Sequence, residues 1–332
     1  MSEKLSVKRP HTCPVVYLQN FAYLTNSYIK KLENFTPKTY KEPKRNDYFI
    51  FVHDKIKNSK IFKLTLNNFG VRKKFYSNKA ESFLAEIEGK TGIIFKKIRN
   101  IYGIEFFNPF PIFQFIMTQL IRTPKFQRKL FKDQIFLRDM DEDQFNESFF
   151  KFSQVEKPKK PTEITKNYLR EMQEGFIINN TLIGTFNWAQ ISVATNSSSI
   201  PLITSDSPVV YNNLEFIPSY LKSKKRIEFS LLINEKTSIM FPISHDFIII
   251  IQNFKNSRKE PLLHYEDISN KNTIMKFNKI IYMYADRYVI LKFKDNEFIK
   301  QIRLSCGDNL NKEYQLLQQA YDAMEKKMKE IN

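Results

Sequence analysis

The chain has 332 residues, 42% hydrophobic and 27% charged, with 53 Lys+Arg against 35 Asp+Glu and a formal net charge of +18. That balance describes a globular protein long enough to bury a sizeable core, and it excludes collagen-like and disordered classes. Only seven glycines leave little for Gly-rich phosphate loops; two cysteines, Cys13 and Cys306, exclude a disulfide scaffold and suit a reducing cytosol.

The charge surplus is rich in lysine, since only 12 of the 53 basic residues are Arg. One reading is a polyanionic partner such as nucleic acid, favoured by counterion release and steering. The other is codon bias, because Asn, Ile and Phe are abundant as well. Placement of the charge along the chain has to decide between them.

The first 46 residues are basic with scattered Pro and read as an extended arm, with one helical turn near residues 17–24. Tyr48 to His53 and Ile61 to Leu66 read as strands, because β-branched and aromatic residues dominate them. From Ala80 to Tyr102, Phe83, Leu84, Ile87, Ile94, Ile98 and Ile101 recur at helical spacing. Gly89 and Gly92 weaken that helix locally.

Asn108-Pro109 supplies a cap and a first-turn proline for a second helix, apolar almost all round to about Arg122 and so expected to be buried. Its polar residues Gln114, Thr118, Gln119 and Arg122 share one arc. Thr123-Pro124 repeats the start signal for a third helix to about Lys132, and another helix is expected over 163–178.

Beyond it the chain turns β-rich, with strands expected at 187–195, 201–204, 238–242 and 247–252. A helix at 271–284 leads into a strand at 287–293. A final helix from about Asp308 carries a narrow apolar seam, Leu310, Tyr314, Leu317, Tyr321, Met324 and Met328, which docking on the body explains better than dimerisation. The expected fold is α+β: central buried helices packed on a mostly antiparallel sheet. Residues 1–307 form a single body and 308–332 the C-terminal docking helix.

P-loop, dinucleotide-fold, zincin, Cys-x-x-Cys and Gly-x-Ser-x-Gly motifs are all missing, which argues against those chemistries. The start carries no signal-peptide pattern, and no apolar run approaches the ~20 residues of a membrane span. The expected setting is cytoplasmic.

Four local features remain. His11 opens His11-x-x-Pro14-x-x-Tyr17-Leu18-x-x-Phe21, as a structural hydrogen-bonder or an auxiliary base. Glu81 and Glu88 lie seven residues apart on one helix face, as surface ion-pair partners or as functional carboxylates. Gln119-x-x-Arg122 puts a guanidinium in an apolar layer, where it needs a carboxylate or a ligand anion. Glu88 is the nearest carboxylate candidate in sequence. Thr204-Ser-Asp206-Ser-Pro208 ends a strand with a carboxylate that either closes an Asx-turn or serves as acid, base or metal ligand. The charge also concentrates on one helix face, Lys125, Arg128, Lys129 and Lys132, readable as a solvated surface or a phosphate-facing stripe.

The order of these motifs, His11 to Phe21, Glu81-x-x-Leu-x-x-Ile-Glu88, Gln119-x-x-Arg122-Thr-Pro, Thr204-Ser-Asp206-Ser-Pro-Val, Phe241-Pro-Ile-Ser244 and Asn278 through Ala285-x-Arg287-Tyr-Val, resembles the domain of unknown function 4238 family over about residues 9 to 293. His245 departs from it, standing where the family often has Pro. The resemblance implies coordinates for a site and no particular reaction.

Two functional expectations follow from the residues. The first is an enzyme acting on a phosphodiester or other nucleic-acid-linked group. In it Glu88 and Asp206 are acid/base groups or ligands of a divalent metal, Gln119 and Arg122 orient phosphate, and His11 is an auxiliary base. The second is a non-catalytic module binding nucleic acid or protein, in which the same residues are structural. Convergence on a cleft favours the enzyme; an Arg122 sealed by Glu88 favours the binding module.

Overall fold

A computed structural model describes residues 13–33, 42–57, 60–69, 78–99, 110–123, 189–221, 226–253 and 262–307. The chain opens with α1 (Val15–Leu18), a 3₁₀ turn, β1 (Tyr23–Leu24) and α2 (Asn26–Glu33). Strands β2 (Tyr48–Asp54) and β3 (Phe62–Thr65) precede the long helix α3 (Asn78–Arg99) and the buried helix α4 (Phe110–Ile121). The β-rich part holds β4 (Ala189–Asn196), β5 (Thr204–Ser205), β6 (Val210–Leu221), β7 (Arg226–Pro242), β8 (Phe247–Asn253) and β9 (Leu262–Ile268). Helix α5 (Lys271–Tyr284), β10 (Tyr288–Leu291) and α6 (Asn296–Cys306) complete the described fold.

The strands form two sheets where sequence reasoning expected one. The first runs β1-β2-β10-β5 with β3 on the other side of β2, all antiparallel. The second runs β6-β7-β8-β4-β9, antiparallel except for the parallel β4–β9 pair. Strand β8 shows why alternation fails as a guide here. Ile249 and Ile251 face one core, Ile248 faces the other, and the strand reads as a continuous apolar run.

The first core gathers α1, α3 and α4 with Ile50, Val52 and Ile290 of the first sheet and Ile191, Val193, Ile239 and Phe241 of the second. The second core packs α5 and α6 against Val289, Leu291, Ala194, Met240 and Ile248. Tyr17 joins the pieces: its hydroxyl bonds Thr204 Oγ1 of β5 and donates to the Pro242 carbonyl of β7 at 2.8 Å. Its ring stacks on Phe241, with centroids 5.0 Å apart. Removing the hydroxyl strands a buried donor, Thr204, and a buried acceptor, the Pro242 carbonyl, from different sheets, which is costly.

Most expected elements are found, with three kinds of difference. The described part of the N-terminal arm, residues 13–33, is helical rather than extended over most of its length, and Val15, Tyr17, Leu18 and Phe21 bury themselves in the core with α3 and α4. The strand expected at 201–204 shrinks to β5, since the backbone N–H groups of Leu202 and Ile203 go to His245 O and Asn278 Oδ1 instead of a ladder. Strands β6 and β9 and helix α6 were not anticipated. Helix α6 is capped by Asp295, whose side chain accepts from Glu297 N and Phe298 N, and it stops at Gly307 with φ 62°. The expected helices at 124–132 and 163–178 and the C-terminal helix over 308–332 lie outside the described residues.

Candidate functional site

The candidate residues come from distant segments. Helix α3 supplies Glu88, the polar arc of α4 supplies Gln119 and Arg122, the turn after β5 supplies Asp206, and the start of α1 supplies Cys13. Cys13 is fully buried, and burial drives its thiol pKa far up. The Arg122 guanidinium opposes that shift, whereas Asp206 and Glu88 reinforce it, so three charges from three elements act on one sulfur. Of the sequence-selected residues, Glu88 and Arg122 meet in an ion pair, and they and Asp206 lie close enough to act on Cys13. Cys13, two residues after His11, belongs with them and was read only as half of a cysteine count. His11 itself lies outside the described residues.

Arg122 extends α4 by donating its backbone N–H to Thr118 O. Its side chain is buried and donates from Nη1 to Glu88 Oε1 at 2.6 Å, while Glu88 keeps a quarter of its side chain exposed. The even choice between carboxylate and ligand anion thus resolves toward the carboxylate. Breaking such a pair leaves a charge facing an apolar layer, a loss of about 3 kcal/mol.

Asp206 is committed as well. Oδ1 accepts from Asp286 N at 3.0 Å; Oδ2 accepts from Arg287 N at 2.9 Å and Tyr288 N at 3.0 Å. The carboxylate holds the turn between α5 and β10 while β5 and β10 pair through Val289↔Ser205. Beside it, Arg287 donates from Nε and Nη2 to Asp54 Oδ2, and Lys55 donates to Ala285 O at 2.8 Å, closing the C-terminus of α5. Sequence reasoning missed this cluster, whose members sit more than 200 residues apart along the chain; the quoted run Ala285-x-Arg287-Tyr was its one local signal.

Gln119 stands apart. It is wholly buried, and among the described residues neither Nε2 nor Oε1 has a hydrogen-bond partner. Each unpaired buried polar group costs about 1–3 kcal/mol, so an orphaned amide one turn before Arg122 asks for an occupant. Glu81 lies on the same face of α3 as Glu88, two turns nearer the helix start. Among the described residues, no group of three or more His, Cys, Asp or Glu is arranged to hold a metal ion. The basic stripe Lys125, Arg128, Lys129 and Lys132 lies outside the described residues.

The class defined by this fold and site is an α+β protein of two sheets packed with helices around two cores, with a Glu88–Arg122 ion pair joining α3 to α4. Residues 9–295 match the family model described as protein of unknown function (DUF4238), and the chain belongs to that family. No curated protein and no solved structure matches it. Among the described residues, no helix is long and apolar enough to cross a membrane.

Proposed function

We propose that the protein is a nucleic-acid-binding module in which Glu88, Arg122 and Asp206 hold the fold rather than perform chemistry. The observation that carries this reading is the internal commitment of the charged groups. Arg122 spends its charge on Glu88 at 2.6 Å, and Asp206 spends both oxygens on three backbone N–H groups. A catalytic carboxylate or a phosphate clamp must instead be open to its substrate. The surplus of +18 supports a polyanionic partner, held by lysines on the surface.

A salt titration of oligonucleotide binding tests this directly. The expected result is log Kobs falling against log salt with a slope of about −3 or steeper. No product should form with Mg²⁺ or Mn²⁺ present. Turnover of the oligonucleotide overturns the non-catalytic reading, and a flat salt response overturns the nucleic-acid reading.

One observation favours the second reading, an enzyme acting on a nucleic-acid-linked group. It is the orphaned Gln119 amide, a donor and an acceptor kept unfilled beside Arg122, with Glu88 reaching the surface. In that reading Gln119 orients a substrate oxygen, Glu88 is the acid or base, and a divalent metal is an optional partner.

A further inference from the structure

Strand β2 alternates, and the two cores take up only part of its apolar surface. Ile50 and Val52 face the first core, so Phe49 and Phe51 point to the opposite side of the sheet. On that side His53 stacks on Tyr282 of α5 with centroids 6.2 Å apart, and Phe51 packs at the edge of the second core. Among the described residues, Phe49 near the start of β2 belongs to neither core and keeps part of its surface exposed.

Three half-buried rings meet there. Tyr23 of β1 is in register with Phe49, their centroids 5.8 Å apart. Tyr23 and Phe51 are 6.0 Å apart; Phe49 and Phe51 meet edge to face at 5.3 Å. The exposed Lys63 of β3, in register with Phe51, holds its ammonium 4.6 Å from the Phe49 centroid and 5.7 Å from that of Phe51. The neighbouring strand β10 pairs Leu291 with Phe51 and runs antiparallel to β2, so the chain leaving it heads toward the Phe49 end. There it presents Phe293, 55% exposed, with the Lys292 ammonium 5.7 Å from its ring. Lys294 is exposed next to it. The nearby carboxylates are engaged: Asp246 is paired with Lys292 at 3.2 Å, Asp295 accepts from Glu297 N and Phe298 N at the start of α6, and Asp47 accepts from Lys44 N.

We infer that this face, Tyr23, Phe49, Phe51 and Phe293 with Lys63 and Lys294, is a stacking platform for single-stranded nucleic acid. Unpaired bases stack on exposed rings whatever their sequence, and lysines set among the rings meet the phosphates between them. A duplex keeps its base faces covered and cannot use such a surface. Charge complementarity selects this occupant over an apolar partner, because lysines stand over and between the rings. The inference rests on the nucleic-acid reading above but is independent of Glu88, Arg122 and Asp206.

Fluorescence anisotropy with labelled oligothymidylate and oligouridylate of about 15 nucleotides, against a duplex of equal length, tests it. The single strands should bind wild type at least about tenfold tighter than the duplex. Lys63→Glu and Phe293→Ala, both at exposed positions, should each weaken single-strand binding by about fivefold to tenfold, with melting unchanged. A photoreactive thiouridine strand should crosslink to the peptide spanning residues 48–54, a readout that needs no variant. Absence of any wild-type binding overturns the nucleic-acid reading and the platform together. Single-strand binding that survives both substitutions, with crosslinks elsewhere, overturns the platform alone. Loss of a dimer in the variants, with binding intact, makes the face an interface between copies and also overturns it.

Discussion

His245 sits buried in the turn between β7 and β8, with Nδ1 bonded to the Leu202 carbonyl at 2.8 Å and Phe21 edge-on to its ring. Burial lowers its pKa from 6.5 to about 4; the Leu202 bond resists that shift, Lys292 adds to it, and Asp246 opposes it. The folded pKa lies below the unfolded one, so the contribution is fully present above pH 6.5 and fades as pH falls toward 4. The loss across that window is on the order of 3 kcal/mol. Thermal melts at pH 7 and pH 4.5 should show a smaller acid-induced drop for His245→Gln than for wild type; equal drops contradict the assignment. At Gln119 the two functional readings separate. Gln119→Met removes two unpaired polar atoms at similar volume, so a purely structural site is unharmed or gains about 1 kcal/mol. Loss of binding or turnover with an intact melt would transfer the account to the enzyme reading.

Helices α3 and α4 show what the sequence makes legible and what it withholds. Their apolar spacing and the Asn108-Pro109 start place both helices, and their closeness in sequence made Glu88 the natural partner for Arg122. The commitment of Asp206 could not be seen, because its partners at 286–288 arrive through pairing of β5 with β10. Strand β9 escaped notice because it is mostly polar after its first two residues, and α6 because its buried stripe is short, Ile299, Ile302 and Cys306, while Leu304 lies exposed outside it. Local pattern records the apolar stripe of a helix; it does not record a hydrogen bond closed 80 residues away. The two glycines of α3 illustrate the same division. Both weaken the helix by propensity, yet a Cβ at Gly92 meets Val16 Cγ2 at 2.7 Å, while one at Gly89 meets nothing. Gly89→Ala should therefore stabilise by about 0.5–1 kcal/mol, whereas Gly92→Ala should destabilise by at least about 1 kcal/mol as α1 is pushed off α3. Chemical denaturation of the two variants checks this, and equal stabilisation would mean that α1 yields freely.

At the scale of the whole molecule, two sheets meet α1, α3 and α4, where Glu88 neutralises Arg122, while the Asp206 carboxylate is held by backbone N–H groups. If these groups are scaffolding, the ion pair can be replaced as a unit. Glu88→Met combined with Arg122→Met swaps a buried pair for apolar side chains of comparable length, an exchange that is often neutral for stability, whereas Glu88→Met alone leaves the guanidinium without its 2.6 Å partner. The decisive measurement is oligonucleotide binding and turnover by the double variant beside its melting curve. The account predicts a melt near wild type, well above that of Glu88→Met, with binding retained within about twofold. A double variant that folds as well as wild type but no longer binds or processes nucleic acid would contradict it, and would place the chemistry at Glu88 and Arg122.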